Sequence, residues 1–83
     1  VEKHMPVVEV SGDKILVKVG EIAHPMTEEH FISHIILETD QGFSLKALMP
    51  NEKPEVTFVI GQAEKPLKVL SLCNLHGLWG KEI

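Results

Sequence analysis

Apolar and polar residues alternate along most of this chain with a period of two. Ile15, Val17 and Val19 alternate with Leu16 and Lys18, and Ser11-Gly12-Asp13-Lys14 supplies a turn joining this run to an earlier one at 7–10. Further on, Phe31, Ser33, Ile35 and Leu37 are predicted on one face of a strand, with Ile32, His34, Ile36 and Glu38 on the other. Asp40-Gln41-Gly42 predicts a tight connection into a strand over 43–48. Pro50 to Pro54 breaks the chain before a strand at 55–60, and Gly61 to Pro66 breaks it before another at 67–73. No stretch shows a helical period with caps. Short strands at this regular spacing predict an all-β fold, an immunoglobulin-like antiparallel β-sandwich of about seven short strands.

Two segments depart from the pattern. Residues 20–30 form a connection longer than a hairpin needs, and residues 74–83 follow the last predicted strand. Long connections in compact domains are usually functional or disordered. These two hold His24, His30 and His76, and Cys73 ends the strand before the second.

Composition narrows what such a fold does. At 83 residues, 43% hydrophobic and 24% charged, the chain is predicted to be one globular domain over 1–83. So small a core is marginal by itself, and one cysteine excludes an internal disulfide, which leaves a metal or a homo-oligomer interface to hold it. Lysine supplies all eight basic side chains against twelve acids, for a net charge of −4. The absence of arginine and of a basic face argues against nucleic acid. No apolar run approaches a membrane span and no signal-peptide core leads the chain, so a cytoplasmic location is expected.

The remaining chemistry is that of ligands. His4, His24, His30, Cys73 and His76 all lie in predicted loops or at strand ends, where a sandwich brings distant segments together. Any one of them alone is an ordinary loop histidine or buried cysteine; five at such positions in one small domain point to a metal. Pro25 holds His24 extended, and Thr27 is placed to cap one helical turn leading to His30. His34 lies mid-strand and is read as a sheet or interface residue. One thiolate with four imidazoles exceeds the usual coordination of structural zinc and suits iron with one position open. The rivals are a cupredoxin-like copper electron-transfer protein and a metal-free sandwich acting as a binding module. A blue-copper loop calls for a Met soon after the second His, and Gly77 to Ile83 contains none.

Three blocks of residues resemble a known family: Glu2-Lys3-His4 with Pro6-Val7, then His24-Pro25-Met26-Thr27-Glu28-Glu29-His30, then Cys73-Asn74-Leu75-His76-Gly77-Leu78-Trp79. In order and spacing they are similar to the signature blocks of superoxide reductases, the neelaredoxins and the catalytic domain of desulfoferrodoxins. The resemblance implies one mononuclear non-haem iron per chain, with His4, His24, His30 and His76 equatorial and Cys73 axial. It implies one-electron reduction of superoxide to hydrogen peroxide, with a rubredoxin-like protein as electron donor. It also implies roles for Glu2, closing the sixth position of the oxidised iron, and for Lys3, drawing in the anion. One cysteine cannot build the four-cysteine second iron of desulfoferrodoxins, so the chain is expected to be the one-iron type or a fragment of the longer one.

Overall fold

The computed structural model describes residues 5–20 and 26–83. Among these residues seven strands follow one another: β1 (Pro6–Ser11), β2 (Lys14–Val19), β3 (Ile32–Thr39), β4 (Gly42–Ala47), β5 (Glu55–Val59), β6 (Pro66–Cys73) and β7 (Gly77–Glu82). They form two antiparallel sheets, ordered β1-β2-β5 and β4-β3-β6-β7. The β-sandwich expected from the alternation is the fold observed. No described helix is long and apolar enough to cross a membrane.

The core lies between the sheets. Ile15, Val17 and Val19 of β2 meet Ile32, Ile35 and Leu37 of β3, and Phe58, Val69 and Cys73 complete the cluster. All nine are under one-tenth exposed, and burial of such aliphatic side chains is worth about 1.5–3 kcal/mol each. The two shortest connections are two-residue hairpins, pairing Ser11 with Lys14 and Thr39 with Gly42. Gly12 at φ 60° supplies the positive dihedral that the first hairpin demands.

Two local expectations are corrected. Alternation sets Ile32 on the face opposite Ile35, yet both are fully buried, because the β3–β6 register shifts between Ile32 and His34. Such a β-bulge carries one extra residue and restores Ile32 to the core side, where it pairs with Cys73. The sequence shows no strand pattern after Cys73, but Gly77–Glu82 pairs with β6 as a further strand. Its two glycines break the apolar alternation, and it is held in extended form by its neighbour.

Candidate metal centre

Cys73 ends β6 on the core side and is 1% exposed. The chain then reverses through Asn74, Leu75 and His76 and re-enters the sheet at Gly77, which pairs with Cys73. Gly77 has φ 80°, the left-handed residue that closes a three-residue hairpin. Trp79 Nε1 donates to the His76 carbonyl at 3.2 Å, fixing the far side of the reversal. The tight turn therefore returns His76 towards the thiol: Cys73 Sγ and His76 Nδ1 are 3.9 Å apart.

The third donor comes from the other connection. Residues 27–30 form a bend rather than the expected helical turn. Thr27 and His30 exchange both backbone hydrogen bonds, at 3.0 and 3.2 Å, and Thr27 Oγ1 also accepts from the His30 amide. Met26 anchors the bend from below: its carbonyl accepts from the Asn51 amide at 2.6 Å and its thioether sulfur accepts from the Ile32 amide at 3.3 Å. His30 thus leans against His76, ring centroids 4.9 Å apart and nearly perpendicular.

Asn74 ties the two connections together. Its Oδ1 accepts from the Phe31 amide at 2.9 Å, its own amide donates to the Phe31 carbonyl at 3.1 Å, and its Nδ2 donates to the Glu29 carbonyl at 3.0 Å. One side chain therefore fixes the segment carrying His30 relative to the turn carrying Cys73 and His76. Sequence reasoning gave Asn74 no role of its own, although asparagine beside a strand end is a known turn-former.

One ligand atom each from His30, Cys73 and His76 lies within 4.8 Å of the others. Metal–sulfur and metal–nitrogen bonds of about 2.0–2.3 Å let one ion bridge donors up to about 4.4 Å apart. The 3.9 Å sulfur–nitrogen pair already satisfies this, and the group needs only a small contraction to do so throughout. A thiolate with imidazoles is a donor set for borderline transition metals, so the residues present fit one. His34 is elsewhere, on the outer face of the sheet, with Nδ1 2.9 Å from Ser33 Oγ. Glu2, Lys3, His4 and His24 lie outside the described residues.

Metal binding energy is folding energy in so small a domain. Metal in excess of its dissociation constant by a thousandfold stabilises by about 4 kcal/mol. Loaded protein is therefore expected to melt at least about 10 °C above the metal-stripped form by calorimetry. Coincident melting would show that the cluster clamps nothing.

The sequence model of the desulfoferrodoxins matches residues 1–82. The chain is 49% identical over 81 residues to a desulfoferrodoxin of Syntrophotalea carbinolica, covering 98% of this chain and 63% of that protein. To a superoxide reductase of Pyrococcus horikoshii it is 36% identical over 99 residues, covering 99% and 86%. Among solved structures, the superoxide reductase from Treponema pallidum superposes with a TM-score of 0.92 at 49% identity, over 96% of this chain and 66% of that one. The one-iron superoxide reductase of Giardia intestinalis superposes with a TM-score of 0.84 at 30% identity, over 100% and 98%. The chain spans less than two thirds of the length of the desulfoferrodoxins it matches.

Proposed function

This chain belongs to the desulfoferrodoxin family, and from that premise we propose that it is a superoxide reductase, an oxidoreductase that converts superoxide to hydrogen peroxide. The observation that carries the reading is the convergence of Cys73, His30 and His76 from two connections at one end of the sandwich. With His4 and His24 they make the four-imidazole, one-thiolate set proposed to hold a single iron. Held by these residues, an iron would supply one-electron redox chemistry, and two protons from solvent would complete hydrogen peroxide. A rubredoxin-like one-electron donor restores the reduced state.

The chain's own residues divide the work. Cys73, buried at the end of β6, would give the metal its one sulfur donor, shielded from solvent by the core around it. His30 and His76 add neutral donors held by the Thr27 bend and the Gly77 turn. Lys3 attracts a small anion to a protein of net charge −4. Glu2 serves the oxidised resting state.

The roles of these last two residues are separable by experiment. Steering acts on the association rate and is screened over about 8 Å at physiological salt. Lys3→Ala is expected to slow the second-order reaction with superoxide several-fold and flatten its salt dependence. Glu2→Ala is expected to leave both unchanged and alter the oxidised spectrum instead. Pulse radiolysis at several ionic strengths decides the matter. A wild-type rate and salt slope in Lys3→Ala removes the lysine from the mechanism, and an iron-loaded wild type that ignores superoxide removes the activity.

A further inference from the structure

All three methionines of the chain lie in connections at the metal end of the sandwich. Met5 precedes β1, Met26 lies between β2 and β3, and Met49 lies between β4 and β5. Backbone hydrogen bonds tie these connections down: the Gly20 amide donates to the Met5 carbonyl at 2.8 Å and the Asn51 amide to the Met26 carbonyl at 2.6 Å. The turns at the other end, over 12–13, 40–41 and 60–65, contain no methionine. The three side chains are not equivalent. Met49 is 67% exposed, whereas Met26 is partly buried and packs against the core.

Met26 makes a contact that leucine could not. Phe31 directs its amide and carbonyl at Asn74, so the Ile32 amide, next along an extended chain, points to the opposite edge of the sheet. There β4 has already ended, its last pair being Ala47 with His34. Ile32 is fully buried, so its amide needs a partner, and the Met26 sulfur accepts from it at 3.3 Å. A thioether is a weak acceptor, and only one of its two lone pairs is engaged. Met26 adjoins Thr27, whose hydrogen bonds with His30 close the bend that presents this histidine to the metal centre.

We propose that Met26 is a site of oxidation by hydrogen peroxide, and that its sulfoxide loosens His30 from the metal centre. The remaining lone pair of Sδ attacks one peroxide oxygen. The sulfur–oxygen bond forms, the oxygen–oxygen bond breaks, and the second oxygen leaves with both protons as water. Sulfur gives up two electrons and peroxide gains them, so no further reactant is needed. An oxygen accepting from the Ile32 amide itself requires about 2.7–3.2 Å. That is the space the sulfur now occupies, so the sulfur has to withdraw and the backbone leading to Thr27 and His30 moves with it. The sulfoxide is also a polar group set against the core, which adds to the displacement. The source of peroxide rests on the activity proposed above; the site itself rests on the sulfur and its contacts.

Peroxide added to the full chain tests the site without calling on superoxide chemistry. Peptide masses give the oxidation state of each methionine, and cobalt(II) titration gives the metal affinity. Both are measured after dithiothreitol, which returns reversibly oxidised Cys73 to the thiol and leaves methionine sulfoxide in place. Met49 is expected to convert first and Met26 after it, with cobalt affinity falling about 10–100-fold on the second event. Methionine sulfoxide reductases are expected to restore the affinity. Met49→Leu is expected to respond as the wild type does, and Met26→Leu to keep its own starting affinity through the treatment. Met26 left unoxidised once Met49 is fully converted overturns the proposal. So does a sulfoxide at Met26 with undiminished affinity, or an equal loss in Met26→Leu.

Discussion

Cys73→Ser is expected to abolish the sulfur-to-metal charge-transfer absorption and to weaken transition-metal binding by more than about a hundredfold. Changes one shell away from a metal already cost about 10–100-fold, and this one removes a charged donor outright. The substitution is nearly isosteric at a position 1% exposed, so the strand end keeps its shape. The cost to the metal-stripped fold is that of a buried hydroxyl, about 1–3 kcal/mol. Titration with cobalt(II), followed by its thiolate band, separates the two effects. A band of undiminished strength in the serine variant would mean that the sulfur is only a core side chain.

The second large effect is expected at Asn74, which touches no metal. Asn74→Ala deletes the bonds to the Phe31 amide and the Glu29 carbonyl, each worth about 1 kcal/mol in net stability. It also releases the segment carrying His30 from the turn carrying Cys73 and His76. Metal affinity is expected to fall about 10–100-fold, in the range seen when groups that orient ligands are lost. Asn74→Asp keeps the acceptor for Phe31 but sets a carboxylate against the Glu29 carbonyl, so an intermediate loss is expected. Hydrogen exchange at the Phe31 amide reports the linkage independently of metal. Unchanged affinity together with unchanged protection of Phe31 in Asn74→Ala would remove the residue from the site's support.

The strands were legible where their information is local. Alternation in β2, the breaks that precede β5 and β6, and the Gly12-Asp13 and Asp40-Gln41 turns are fixed by residues within a few positions of one another, and the strands form there. What alternation could not reveal depends on partners distant in sequence. The bulge that turns Ile32 inward exists only in the β3–β6 ladder, across some forty residues of chain. β7 is extended because β6 offers it an edge, not because Leu78-Trp79-Gly80 has strand periodicity. The orientation of β4, which sets Ser44 and Lys46 beside the buried Leu37 and Ile35, is not legible locally because a period of two carries no sign: which side is the core appears only from the strand next to it.

For the centre, residue type and position in connections marked the donors, and the fold brings His30, Cys73 and His76 together. The supports were less visible. Asn74 acts through hydrogen bonds to residues more than forty positions away, and Met26 through a thioether that reads in sequence as a core side chain. Neither residue type advertises such a role. The absence of a methionine after His76 disfavours a blue-copper loop, and Gly77–Glu82 is a strand rather than a ligand-bearing loop.

The central claim, that this chain reduces superoxide rather than dismutating it, is tested most directly by product stoichiometry. Reduced, iron-loaded protein is mixed with superoxide under single-turnover conditions, and hydrogen peroxide and dioxygen are both measured. Reduction predicts one hydrogen peroxide for each superoxide consumed and no dioxygen. One hydrogen peroxide and one dioxygen for every two superoxides would contradict it.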